Sequence, residues 1–301
     1  MIRLCVAPEN KGMKLSEYVV ASLPELARAN LRKMIKKGDI KLNGGLLRKD
    51  MEVDEDDVVE VYLPVEFERA PAMDICYEDD NIIVLNKQPG MAVTGGAGQS
   101  APDLMSMVIN YMKKKGEYFE DSGYIPFPCH KLDIYTGGLV LFAKNGDMFE
   151  VIREAQRQRR IKRIFQAIVK GRPEEDRGEF QHFFLQEGET KYHISEKKMR
   201  DSAPIYTKYR VLKANGTCSL LELEPVTQIY NQERAHLEAA GYPVLGDNVF
   251  GIARLNKKLG IRYQALWATE IRFATGVNNL LEYLNGKKVV AGDIGFPMVN
   301  L

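Results

Sequence analysis

One run of this 301-residue chain gathers residue types that do chemistry: His130-Lys131-Leu132-Asp133-Ile134-Tyr135-Thr136-Gly137-Gly138, then the apolar Leu139-Val140-Leu141-Phe142-Ala143 and Lys144. The apolar stretch has the length and continuity of a buried strand. Thr136-Gly137-Gly138 is a turn signal. Asp133 therefore stands on a polar, glycine-bounded turn at the mouth of a buried strand, where a carboxylate can act as nucleophile, acid or base. The same pattern also suits a turn Asp that only bonds its own backbone. Cys129 precedes His130, but adjacent residues of an extended segment point to opposite faces, which argues against a Cys/His nucleophile pair.

The elements that must hold such a turn can be read on both sides of it. Ile75 to Lys87 reads as a hairpin whose second strand is buried. Leu104, Met107, Val108, Tyr111 and Met112 give an amphipathic helix, its Met-rich stripe a core face. After the apolar strand comes a basic helix, with Glu150 and Glu154 early and Arg153, Arg157, Arg159, Arg160, Lys162 and Arg163 following, an order that suits the helix dipole. Its cations fit a solvated helix end and RNA contact equally well. Strands are expected at Ile164–Gly171, 203–213 and Leu220–Pro225, and His236 reads as a packed helix histidine.

Forty-two basic and 41 acidic side chains leave a net charge of +1, which hides an uneven distribution. Arg28, Arg32, Lys33, Lys36, Lys37, Lys41, Arg48 and Lys49 lie within one stretch against the single acid Asp39. A first helix carries Leu15, Tyr18, Val19 and Leu23. A second, opened by Pro24 and ended at Gly38, places Leu31, Met34 and Ile35 on one side and the cations on the other. Interleaved acids, expected where a helix is stabilised by i,i+4 pairs, are missing, which favours phosphate contact. Asp39 to Gly45 reads as a strand into a glycine turn, and Val58 to Leu63 as a closing strand. The expected organisation is a small domain over 1–64, a linker over 65–72 and a larger domain over 73–301.

Other classes recede. No apolar run approaches the length of a membrane span, and the N-terminus lacks the apolar core of a secretory signal. Cys5, Cys76, Cys129 and Cys218 are scattered, which speaks for free thiols in the cytoplasm and against zinc. Neither a P-loop nor a dinucleotide-binding glycine motif is present.

The run around Asp133 resembles the signature of the RluA-like pseudouridine synthases: His-Arg-Leu-Asp, two variable residues, Thr-Ser-Gly, and an apolar strand ending Phe-Ala-Lys. Further matches are Asn86-Lys87-Gln88-Pro89, Arg163 to Gly171, Arg234-Ala235-His236-Leu237 with Gly241 to Asp247, and Gln264 to Ala268. Departures are Gln88 between Lys87 and Pro89 where the family reads Asn-Lys-Pro, Lys131 for Arg, Gly137 for Ser, Arg163 for Lys, Phe165 for Tyr, Trp267 for His, and the divergent Gln228 to Glu233, of which Gln232 survives. Residues 12–64 are similar to the S-four-like RNA-binding domain that often precedes this catalytic domain.

The resemblance implies an α/β (α+β) fold with a mixed, largely antiparallel sheet and a central cleft, preceded by the small α+β RNA-binding domain. It implies isomerisation of a uridine in structured ribosomal or transfer RNA, with no cofactor and no metal, by a cytoplasmic monomer. Asp133 is the expected nucleophile, acting covalently or by stabilising the cleaved sugar. A carboxylate in a dry cleft needs a cation beside it to stay charged, and Arg234 is the expected partner. Phe165 is expected to stack on the target base but cannot transfer a proton, so water or another group must remove the hydrogen on uracil C5. His130, Lys131, Leu132, Thr136 and Leu237 are expected to bind substrate. Lys131 keeps the charge of the family Arg without its planar stacking group. Arg28, Arg32, Lys33, Lys36, Lys37, Lys41 and Asn43 are expected to bind RNA. Two rivals stay open: a divergent member that binds RNA without catalysis, and a nucleoside or glycoside hydrolase, ranked last because such enzymes want two carboxylates.

Overall fold

The computed structural model describes residues 2–23, 28–47, 49–62, 73–95, 103–118, 123–187, 191–229 and 231–296. The chain forms two compact units, Met1–Met73 with Thr94–Gly123, and Asp74–Val93 with Tyr124–Leu301. The helix start expected at Pro24 and the linker expected at 65–72 lie outside the described residues.

The first unit contains β1 (Ile2–Cys5), α1 (Leu15–Ser22), α2 (Arg28–Lys37), β2 (Ile40–Leu42), β3 (Gly45–Leu46) and β4 (Val58–Val61). Its four strands run β1-β4-β2-β3, each pair antiparallel. Leu15, Tyr18 and Val19 of α1 and Leu31, Met34 and Ile35 of α2 bury against Ile40, Val59 and Val61, as their helical spacing requires. Asn43 (φ 52°) and Gly44 (φ 77°) both sit left-handed, the two-residue turn that an Asn-Gly pair favours in a tight hairpin. The edge strand β1 was not apparent in the sequence. Helix α3 (Leu104–Lys115) also falls in this unit, capped by Asp103, whose carboxylate accepts from the Ser106 amide at 2.8 Å.

The second unit is built on one sheet. Its elements are β5 (Ile75–Glu78), β6 (Ile82–Lys87), β7 (Phe127–Pro128), β8 (Gly137–Ala143), α4 (Gly146–Arg157), β9 (Ile161–Lys170), β10 (Arg177–Glu187), β11 (Lys191–Ser195), β12 (Ala203–Ala214), β13 (Cys218–Pro225), α5 (Gln232–Ala239), α6 (Ala253–Leu259), β14 (Leu266–Phe273) and β15 (Lys288–Val290). The order is β11-β10-β12-β13-β9-β14-β8-β6-β5, with β7 added on β8 and β15 on β14. Among the described residues only β8 and β14 pair in parallel; the sheet is mixed and largely antiparallel. Every residue of β6 and β8 is buried, which is why both read as continuous apolar runs. Met148, Ile152 and Ala155 of α4 pack with Leu139, Leu141 and Trp267.

Two details differ from the sequence reading. The basic helix stops at Arg157; Arg159 turns left-handed (φ 57°), and a strand begins at Ile161. Lys162 and Arg163 therefore stand on β9, which is held extended by its antiparallel pairing with β14, Lys162 opposite Arg272 and Arg163 opposite Ile271. The long hairpin β10–β11 is also additional, since the run Phe183-Phe184-Leu185 interrupts the alternation within β10.

The close approach of β8 to β14 explains one departure. A Cβ on Gly138 (φ 111°) would lie 2.3 Å from the Ala268 carbonyl oxygen, and one on Gly137 2.3 Å from the Trp267 ring. Trp267 fills the space beside Gly137, with its indole N–H donating to Asn86 Oδ1 at 3.0 Å. Gly137 is therefore the residue that a Trp at 267 demands.

Candidate active site

The site begins with a hairpin that doubles back on β8. The backbone of Phe127 to Cys129 pairs along β8, with the Cys129 amide donating to Leu141 at 2.8 Å. Residues 131–136 form the tip before the chain returns as β8 itself. Asp133 Oδ1 accepts from the Tyr135 amide at 3.1 Å, and the Asp133 carbonyl accepts from the Thr136 amide at 3.1 Å. This is the ordinary self-bonded turn Asp, yet its other oxygen, Oδ2, meets Arg234 in an ion pair. One side chain thus serves both the turn and an ion pair at the pocket.

Buried side chains fix the tip from below. Lys87 points Nζ at three carbonyls, those of Gln88 (3.2 Å), Met91 (2.9 Å) and Ile134 (3.1 Å). Burial lowers its pKa to about 7, against the pull of the Asp133 charge. Gln264 Nε2 donates to Thr136 Oγ1 at 2.6 Å. Outside the pocket, Tyr135 stacks on Tyr263 at 5.1 Å between centroids.

Arg234 comes from the first turn of α5. Its Nε and NH2 fork onto Asp247 at 2.7 and 2.8 Å, and NH1 reaches Asp133. Asp247 is fully buried and also accepts from the Val249 and Phe250 amides at 2.8 Å. Burial alone would raise its pKa; Arg234 and those amides outweigh burial and hold it below the usual carboxylate range. Phe250 lies under the guanidinium, 5.0 Å from it. The fork geometry is the one arginine provides and lysine does not.

Helix α5 is itself anchored. Gln232 donates to the Tyr206 carbonyl and Thr207 Oγ1, both at 3.0 Å, and accepts from Thr227 at 2.9 Å. His236 is fully buried, 2.9 Å from both Thr207 Oγ1 and His182 Nδ1. Burial, helped by His182, lowers its pKa to about 3, which keeps it neutral, as a packed histidine should be.

A small pocket of about 50 Å³ opens over this ion pair, lined by Lys131, Leu132, Asp133, Thr136, Arg163, Phe165, Ile229, Asn231, Glu233, Arg234 and Leu266. The expected residues Asp133, Arg234, Phe165, Lys131, Leu132 and Thr136 thus meet at one place. Phe165 is almost wholly buried, with the Arg163 guanidinium 5.7 Å from its ring.

Two expected substrate-binding residues stand elsewhere. Leu237 is completely buried and does not line the pocket; on α5 it occupies an apolar face that needs covering. His130 supports the framework, with its Nε2 accepting from the Leu141 amide at 3.2 Å and its Nδ1 lying 3.4 Å from Arg163 Nη1. Burial, then Arg163, pushes its pKa well below the ordinary value. In the first unit, Lys36 and Lys37 are exposed, and Lys41 lies 4.8 Å over the Tyr62 ring. Asn43 is occupied within its hairpin, donating to Asp57 at 2.7 Å and accepting from the Val58 amide at 2.8 Å. The side chains of Arg28, Arg32 and Lys33 lie outside the described residues.

Four participants carry no role in the sequence reading: Asp247, Lys87, Gln264 and Glu233. The matches that include the first three were visible, but nothing local assigns them a partner. Glu233 lies in the most divergent stretch and gave no signal.

Comparison with known proteins points one way. The RNA pseudouridylate synthase family model matches residues 81–239. The chain is 24% identical to the ribosomal large subunit pseudouridine synthase C of Haemophilus ducreyi, over 89% of this chain and 86% of that protein. It is 24% identical to the ribosomal large subunit pseudouridine synthase D of Borreliella burgdorferi, over 92% and 87%. Among solved structures it is similar to human RNA pseudouridylate synthase domain containing 4, with TM-score 0.58, 22% identity and coverage of 74% and 88%. The corresponding values for human RNA pseudouridylate synthase domain containing 1 are 0.57, 20%, 74% and 84%.

Proposed function

The chain belongs to the RNA pseudouridylate synthase family, and from that premise we propose that it converts a uridine of large-subunit ribosomal RNA to pseudouridine with Asp133 as its nucleophile. The observation that carries this reading is the Asp133–Arg234 ion pair at the pocket, with Arg234 fixed from behind by Asp247. A protein that only binds RNA has no use for a nearly buried charge cluster that is costly to desolvate.

The residues divide the work. The target base must leave the stack to be reached. Phe165 offers it an apolar ring, a contact worth about 1–3 kcal/mol per base. Exposed Lys131 stands at the rim, placed to fill the gap that the flipped base leaves. Arg234 and the Tyr135 amide orient the two oxygens of Asp133 toward the pocket, so that the carboxylate meets the sugar already aligned. A larger cleft of about 500 Å³ shares Ile229 with this pocket and is lined by Arg153, Arg157 and Arg159, a cationic path suited to phosphates. No helix among the described residues is long and apolar enough to cross a membrane. The same reading makes the protein a cytoplasmic monomer without cofactor, with transfer RNA as the second substrate to try.

Mapping pseudouridines in total RNA from cells with and without the gene tests this directly. We expect one or a few large-subunit ribosomal sites to lose modification; an unchanged map across all RNA would overturn the reading.

The first unit is proposed to grip RNA through α2. Replacing Arg28, Arg32 and Lys36 together by Ala should weaken binding and lower the log–log salt slope by about two to three units, at about 0.7–0.9 per phosphate. Leu31, Met34 and Ile35 stay in the core, so folding should persist, and turnover at saturating RNA should change little. An unchanged salt slope would mean that the cationic face is merely solvated.

A further inference from the structure

Rejoining uracil to the sugar through carbon leaves C5 bearing both the sugar and its original hydrogen. That hydrogen must leave as a proton. The C5–H pair then closes the C5=C6 double bond, and the C6=N1 pair returns to N1, which takes a proton. A proton has moved from C5 to N1, and no other reagent is consumed. The step needs a base that reaches the bound uracil, and Phe165 has no hydroxyl to offer.

The pocket contains one further carboxylate. Glu233 lines it beside Arg234, in the first turn of α5. Among the described residues its carboxyl joins no ion pair and accepts from no other residue's side chain; Arg163 and Arg234 act on it only through their charge. The remaining charged groups of the pocket are Lys131 and Asp133, and Asp133 is already assigned to the sugar. We propose that Glu233 is the base that takes the C5 proton and returns it to N1.

The chemistry of the position agrees. Burial raises the Glu233 pKa above the ordinary carboxylate value, with Arg163 and Arg234 opposing, and a base nearer neutrality is better matched to a carbon acid. The two cations also steady the negative charge that passes through the uracil ring while the proton moves. This assignment rests on the isomerase reading above.

Glu233→Gln keeps the shape of the side chain and removes its basicity. The probe is a large-subunit ribosomal RNA transcript carrying either uridine or 5-fluorouridine. Fluorine at C5 cannot leave as a proton, so with that RNA the reaction runs only as far as the C5–sugar bond, where Glu233 has no part. We expect single-turnover pseudouridine formation by the variant to fall about 10²–10⁴-fold. Wild type and variant should form the rearranged 5-fluoro product at equal rates. Deuterium at C5 should slow the variant more than the wild type. Normal uridine turnover by Glu233→Gln would overturn the proposal. Equal loss with both RNAs would also overturn it, because Glu233 would then be shaping the pocket instead of taking the proton. A wild-type protein that rearranges neither RNA would instead overturn the isomerase reading, and this assignment with it.

Discussion

Asp133→Asn is expected to bring pseudouridine formation below detection while RNA affinity stays within about threefold of wild type. An amide is close in shape to the carboxylate and can still accept from the Tyr135 amide at Oδ1, so the turn should survive. It is a poor nucleophile, and it gives no charge to the sugar carbon as the base departs. Affinity should be retained because phosphate contacts dominate it. The fold should tolerate the change too. Arg234 keeps its fork on Asp247, so no buried cation is stranded, and the cost should be that of one altered hydrogen bond, about 1 kcal/mol. Single-turnover assays and filter binding on the same transcript check both halves. Normal turnover would remove Asp133 from the chemistry, and lost affinity would make it a binding residue.

Asp247→Ala should act oppositely, damaging stability first. Asp247 is fully buried and satisfies two guanidinium nitrogens and two backbone amides. Removing it takes away the carboxylate that holds two of the Arg234 nitrogens, and breaking a buried pair in this way costs roughly 3–5 kcal/mol. The urea midpoint should fall at unchanged slope, and activity should fall with it because Arg234 is no longer held. Acid should erase the difference. The folded pKa of Asp247 lies below the ordinary value, so its contribution is fully present above the unfolded pKa of about 3.9 and is lost as pH falls through the lower folded one. The stability curves of wild type and variant should therefore converge in strong acid. A variant as stable as wild type at neutral pH would mean that Arg234 needs no second carboxylate.

The two predictions differ in how far the sequence alone could reach. Asp133 was readable because a turn and a buried strand announce themselves over a few adjacent residues, and the family resemblance supplied Arg234. The sheet was partly readable for the same local reason: β6 and β8 are buried on both faces and look so. Asp247 was not, since its role exists only through a partner 13 positions away that itself turns to one 101 positions away. Arg163 was misplaced on a helix because a cluster of cations carries no period of its own, and the left-handed Arg159 that ends the run is not a glycine. Glu233 looked like sequence drift; only the pocket gives it neighbours.

Gly137 and Trp267 carry a last consequence, about the order in which this site can change. The family pattern has Ser at the first position and His at the second, and this chain has neither. A Ser placed at 137 alone would drive its Cβ into the indole, with no backbone freedom to yield in the parallel β8–β14 pairing. Shrinking Trp267 to His alone would open a void in a core that also holds Leu139 and Phe273. Each single step should therefore be harmful and the double step less so than their sum, which makes the two substitutions epistatic. A library that varies the positions one at a time would report both as intolerant, whereas paired variation should recover the Ser/His combination.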